Sequence, residues 1–179
     1  MNAKQRGSGI VLLVVLVAAA ALFWGLHRSE SLGISGRSWE TLNHGRLSLD
    51  DFRGRGMVLS FFSTTCLPCK PGLTALSDRS APLVQDGATT VIAVCVDPQN
   101  HQALRSWAND LGLTMPILLD FDAVLAGRLG VEMVPETYVM DADGQIALRI
   151  KGWDAGAAGR IQWALMGGSS AAMIQEAKR

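Results

Sequence analysis

Cysteine and histidine are scarce in this chain, three of each in 179 residues, and their scarcity bounds the chemistry. An odd number of cysteines excludes a fully paired disulfide framework within one chain. Cys95 falls inside an apolar run and no two histidines stand at ligand spacing, so neither a metal nor any other cofactor is expected. Charge of one sign is lacking as well: 16 basic residues balance 16 acidic ones. Lys and Arg are scattered, so the positive stripe that a phosphate backbone requires is absent and nucleic acid is not an expected partner. Aromatics make up only 6% of the residues while apolar types reach 49%. The length leaves room for one ordinary domain and an appendage.

Part of the apolar excess sits at the N-terminus. Residues Ile10 to Leu26 (IVLLVVLVAAAALFWGL) carry no charge. A helix of that length is at the short end of what spans a hydrocarbon core of about 30 Å at about 1.5 Å per residue. Lys4 and Arg6 precede it, which favours a cytoplasmic N-terminus at residues 1–9 and everything after Leu26 outside. The expectation is an uncleaved single-pass anchor in the cytoplasmic (inner) membrane, with the domain on the periplasmic side. Ala18 to Ala21 also supply the small residues of a signal-peptidase site, so a cleaved signal is the alternative. Residues 27–38, rich in Ser and Gly, read as a tether. The domain is expected over 39–166 and a short Ala-rich tail over 167–179.

Inside the domain the hydrophobic period alternates. Met57 to Phe62 and Thr90 to Val96 are continuous apolar runs, as in strands buried on both faces. Between them Leu73, Leu76, Leu83 and Val84 mark a helical stretch, long enough for a right-handed crossover between parallel neighbours. Leu104, Trp107, Ala108 and Leu111 space a second helix from Asn100 to Gly112, and Val124, Leu125 and Leu129 a short third one ending at Gly130. Thr137 to Met140 and Gln145 to Ile150 predict a hairpin around Asp141-Ala142-Asp143-Gly144. A last helix is expected over Ala157 to Met166. The pattern predicts an α/β fold with a central sheet of mixed direction flanked by helices.

The chemistry concentrates at Phe61-Phe62-Ser63-Thr64-Thr65-Cys66-Leu67-Pro68-Cys69-Lys70. A buried strand ends, a turn follows, and Cys66 arrives where a helix is expected to begin. Unpaired backbone N–H groups and the helix dipole there lower a thiol pKa from about 8.5 toward 7 or below. Cys69, a turn deeper, is placed to resolve a mixed disulfide formed on Cys66. A structural disulfide of this spacing closes too small a loop to remove much chain entropy. Redox chemistry is therefore the expected role of the pair. Cys95, between Val94 and Val96, reads as core packing. His44 and His101 are expected on the surface, and Trp39, Trp107, Trp153 and Trp163 in domain packing.

From Leu49 to Gly152 the chain resembles the membrane-anchored thioredoxin-like reductases of the TlpA/ResA/CcmG (DsbE) group. The matching stretches are Leu49-Asp50-Asp51-Phe52-Arg53-Gly54-Arg55, the Cys-x-x-Cys, Val96-Asp97, Leu119-Asp120, and Leu129 to Ile146 (LGVEMVPETYVMDADGQI). The resemblance implies a thioredoxin-like fold and a disulfide reductase. It makes Pro135 a cis-proline facing the redox pair, where the residues alone suggest an ordinary strand-entry proline. It would also expose the backbone of Val134 to a substrate strand beside Cys66. Glu136 reads as a solvated loop acid, with tuning of proton exchange or contact with a partner as the alternative.

Several positions depart from the group. Phe62 and Thr65 stand where a Trp and another aromatic are usual, Ser60 where Asn or Asp is frequent, Gly72 in place of Glu, and Thr74 in place of a kinking proline. The expected activity is extracytoplasmic thiol–disulfide exchange. Leu67-Pro68 offers no basic residue to stabilise a thiolate further, so a reductant is expected. Its partners would be disulfides of exported proteins, such as apocytochrome c, and a membrane electron donor. The alternatives are a thiol peroxidase, or a non-catalytic copper-delivery or scaffold domain. Peroxiredoxins carry Thr three residues before the reactive Cys, where this chain has Ser63. Copper carriers of this type need a downstream His, and none follows His101.

Overall fold

The run from Gly56 to Phe62 forms strand β3 at the centre of the sheet, and Val58, Leu59, Phe61 and Phe62 are fully enclosed there. A strand apolar at nearly every position must be covered on both faces, and this requirement organises everything around it. The protein is described here from a computed structural model covering residues 15–16, 36–84, 87–97 and 100–168. The chain divides into two units, Met1–Glu30 and Ser31–Arg179, and the domain lies in the second.

Five strands make the main sheet in the order β5 (Ile117–Leu119), β4 (Thr89–Cys95), β3, β6 (Glu136–Met140) and β7 (Ile146–Lys151). Strand β4 (Thr89–Cys95) runs parallel to β3 with Phe62 opposite Cys95, and β6 (Glu136–Met140) runs antiparallel to it with Phe61 opposite Glu136. Strand β7 (Ile146–Lys151) closes the expected hairpin. Its turn is held by the Asp141 carboxylate, which accepts from the N–H of Asp143 at 3.0 Å and of Gln145 at 2.8 Å. Gly144 takes the left-handed φ of 78° that the turn requires.

Helix α1 (Cys69–Val84) joins β3 to β4, and α2 (His101–Asp110) joins β4 to β5 (Ile117–Leu119). Both crossovers link parallel neighbours, and the right-handed rule places them on one sheet face. Leu73 and Leu76 of α1 and Leu104 and Ala108 of α2 pack there on Val58, Phe62, Val91 and Cys95. Helix α4 (Ala157–Leu165) adds Ile161 and Ala164 to this layer. The opposite face carries α3 (Val124–Leu129), whose Leu125 and Leu129 meet Leu59, Phe61 and Tyr138. The Asp120 carboxylate starts α3 by accepting from Leu125 N at 3.0 Å and Ala126 N at 2.7 Å, which satisfies donors that a helix start leaves orphaned.

The hairpin of β1 (Ser38–Glu40) and β2 (Arg46–Ser48) has no counterpart in the apolar pattern. It covers the α3 face with Trp39 and Leu47, and the Trp39 indole N–H donates to Asp120 at 3.3 Å. Residues ahead of the expected domain start already bond to it: Gly36 N donates to Asp50 at 2.6 Å, and Arg37 pairs with Asp122. Residues 36–38 therefore belong to the domain rather than to a tether. The expected anchor lies outside the described residues apart from Val15 and Leu16, and the tail outside them from residue 169. Among the described residues no helix is long and apolar enough to cross a membrane.

Candidate active site

Strand β3 delivers the redox pair. Its last carbonyl, Phe62 O, accepts from Val96 N at 3.0 Å, and the Phe62 ring stacks on Trp107 with centroids 5.2 Å apart. This stack anchors the strand end in the core. The chain then turns: Cys66 N donates to Ser63 O at 3.1 Å, Cys69 N to Cys66 O at 3.2 Å and Lys70 N to Leu67 O at 3.3 Å. These are i to i+3 bonds, the tight winding that leads into many α-helices. Helix α1 itself opens at Cys69, so Cys66 stands one turn ahead of it rather than on its first residue.

Cys66 and Cys69 form a disulfide with Cα atoms 5.4 Å apart. The two sulfur-bearing residues differ in access. Cys66 is partly exposed, while Cys69 is fully enclosed beneath it. An incoming thiolate therefore meets Cys66 before Cys69. Leu67 between them is 72% exposed.

The loop before β6 holds the other residues that the resemblance assigns to the site. The Val134–Pro135 bond is cis, as the resemblance implies and as the residues alone do not. Pro135 O accepts from Gly152 N at 2.8 Å, which ties the cis-proline segment to the end of β7. Val134 is half-buried and packs against both core layers, while Met133 beside it is 57% exposed. Trp153 lies against Gly72 in the first turn of α1. A Cβ at that glycine would fall 2.8 Å from the indole, so the loss of the usual Glu goes with a ring resting on helix backbone.

Glu136 is not a solvated loop acid. It is the first residue of β6 and its side chain is 0% exposed. Strand alternation decides its direction. Thr137 Oγ1 meets Ser60 Oγ at 3.1 Å, on the side of β3 that also bears Val58 and Phe62, the α1 face. Glu136 consequently points to the α3 face, away from the disulfide helix. There it accepts from Arg149 Nε and from Glu132 N at 3.2 Å. Arg149 also donates to Gly130 O at 2.7 Å and lies 5.3 Å over the Tyr138 ring. The Glu136 carboxylate holds the Arg149 guanidinium above its ordinary range. Arg149 thus stitches Glu136 to the loop preceding the cis-proline, a role that its exposed-strand setting in the sequence does not reveal.

Ser60 is buried and pairs with Thr137 through the hydroxyl–hydroxyl contact above, so this position offers hydroxyls and no carboxylate. Cys95 is a buried free thiol, and burial, reinforced by Asp97, pushes its pKa far up. His44 is exposed and His101 half-exposed, 3.8 Å from Glu40. Trp39 is buried and Trp107, Trp153 and Trp163 pack against the core, as expected. Asp97 is the functional candidate that motif reading passed over: its carboxylate contacts both Thr64 and Cys95.

The chain is 27% identical over 107 residues to "Thiol-disulfide oxidoreductase ResA" of Bacillus thuringiensis (strain Al Hakam), covering 60% of this chain and 61% of that one. The chain thus spans about three fifths of the length of that relative. It is 28% identical over 145 residues to "Thioredoxin-like protein YneN" of Bacillus subtilis (strain 168), covering 76% and 84%. A solved structure of a secreted Mycobacterium tuberculosis disulfide oxidoreductase homologous to E. coli DsbE superposes with a TM-score of 0.60 at 22% identity, covering 70% of this chain and 94% of that one. That likeness shows the thioredoxin-like fold. Residues 37–149 match the AhpC/TSA family, well over half of the chain, and this protein is a member of that family.

Proposed function

We propose that this protein is an extracytoplasmic thiol–disulfide oxidoreductase that reduces disulfides of exported proteins, with apocytochrome c among its candidate substrates. The observation that carries the reading is the asymmetric Cys66–Cys69 disulfide on a tight turn, one cysteine partly exposed and the other enclosed. The similarity to ResA supports the same chemistry. In the reducing direction the Cys66 thiolate attacks a substrate disulfide, forming a mixed disulfide and releasing one substrate thiolate. The Cys69 thiolate then attacks Cys66 Sγ, releasing the second substrate thiolate and leaving Cys66–Cys69 oxidised. Two electrons pass to the substrate, and a donor dithiol in the membrane returns them. The cis-Pro135 segment, with the backbone of Val134, pairs with the substrate strand beside Cys66.

The uncharged run from Ile10 to Leu26 supports a membrane anchor with the domain outside. Carbonate extraction tests the anchor: release of the full-length chain, or of a shortened one, from the membrane would refute it.

The direct test of the activity is trapping. Cys69→Ala should accumulate mixed disulfides through Cys66 in membranes, and Cys66→Ala should not. A potential near about −120 mV, that of a strong oxidant, overturns the reducing direction. Peroxide consumption at a rate comparable to disulfide reduction would replace the proposal with a thiol peroxidase.

A further inference from the structure

We propose that Asp97 is a positioning residue for the redox turn, holding it in place through Thr64 and braced in turn by the thiol of Cys95; the inference rests on Cys66 being the nucleophile.

Asp97 follows the end of β4, next to the end of β3, and its carboxylate reaches across to the loop that leaves β3. It accepts from Thr64 N at 3.2 and 3.3 Å and from Thr64 Oγ1 at 2.8 Å. Thr64 stands two residues before Cys66. The flanking Ser63 supplies the carbonyl that takes Cys66 N at 3.1 Å, and its hydroxyl meets Thr65 Oγ1 at 2.8 Å and accepts from Thr65 N at 3.3 Å. The turn is thus internally bonded, and Asp97 fastens it to a neighbouring strand. A bond to a charged acceptor is stronger than one between neutral groups.

On its other side the carboxylate accepts from Cys95 Sγ at 3.2 Å. Cys95 lies opposite Phe62 in the β3–β4 register and is fully enclosed. Its proton is held tightly by burial and by the carboxylate, so it stays a donor and does not compete for the disulfide. Thr64, Asp97 and Cys95 together fix where the turn leaves the sheet, and hence where Cys66 stands relative to the N–H groups leading into α1. A loosened turn would give up part of the thiolate stabilisation those groups provide.

Thr64→Val, Thr64→Ser and Asp97→Asn in the reduced full chain test this, with site-resolved iodoacetamide alkylation of Cys66 measured against pH. Thr64→Val keeps the carboxylate and removes the hydroxyl anchor. It should slow Cys66 about three- to tenfold at neutral pH, by raising its apparent pKa about half a unit or more. Thr64→Ser should restore the rate to within about twofold. Asp97→Asn should shift the profile in the same direction as Thr64→Val. A Thr64→Val profile matching the parent, or a lower melting temperature with no change in profile, overturns the proposal. Asp97→Asn accelerating Cys66 also overturns it, because Asp97 would then act only as a charge repelling the thiolate. Alkylation needs no substrate, so loss of exchange in the parent protein would sink the proposed activity while leaving this result readable.

Discussion

Gly72→Ala should change sign according to what occupies position 153. An ideal Cβ at Gly72 would sit 2.8 Å from Cδ2 of Trp153 and 3.0 Å from its Cε3 and Cγ. Non-bonded carbons rest at about 3.5–4.0 Å, so the ring must retreat by roughly 0.7–1 Å. Overpacking of this kind costs about 1–3 kcal/mol. Against it stands the gain of about 0.5–1 kcal/mol when Ala replaces Gly within a helix. In the parent protein Gly72→Ala should therefore destabilise by about 0–2.5 kcal/mol. In a Trp153→Ala background the obstruction is gone, and the same change should stabilise by about 0.5–1 kcal/mol. Urea denaturation of the four proteins, oxidised and followed by circular dichroism, closes the cycle with an expected coupling of about 1–3 kcal/mol. A coupling below about 0.5 kcal/mol would refute the reasoning, because it would mean that the indole does not rest on the helix backbone.

Glu136→Gln should leave the pH-dependence of Cys66 alkylation unchanged, since the carboxylate points to the α3 face; a displaced profile would restore its role in proton exchange. Native reduced protein at neutral pH should incorporate alkylating reagent at Cys66 far faster than at Cys95, whose thiol is enclosed and protonated. Comparable labelling of the two by mass spectrometry would contradict that burial. Tyr138 is the only tyrosine, and burial followed by the Glu136 charge pushes its phenol up to about 12 from an ordinary 10. Between those values the native state keeps a proton that the unfolded chain has lost, so stability should fall as pH rises past 10. Tyrosinate absorbance rising near pH 10 in folded protein would contradict the shift.

The parts of the fold that were legible in advance have long, strongly periodic signals. Met57 to Phe62 and Thr90 to Val96 had to be enclosed strands because almost nothing in them suits water, and each is observed within one residue of the expected bounds. Gly130 ends α3 with a left-handed φ of 68°, a position that its sequence context already marks. Strands of three residues were not legible. Ile117–Leu119 and the β1–β2 hairpin are too short for a period to show, and they form because the sheet and α3 offer edges and apolar surface to cover. The burial of Glu136 is hidden in the sequence for a related reason. Position beside a proline suggests a loop, whereas β-pairing with Phe61 on one side and Lys151 on the other draws it into the sheet and buries it.

By itself the sequence determined the alternation of elements, the redox pair on its turn and the core assignment of Cys95, because each depends on local spacing or on the plain insolubility of an apolar run. Tertiary structure alone decided which face Glu136 takes, that Arg149 secures the cis-proline loop, that Trp153 lies on Gly72, and that Asp97 reaches Thr64 from beyond the end of β4. Those contacts join residues 4 to 81 positions apart, and only pleat direction and strand register bring them within bonding distance.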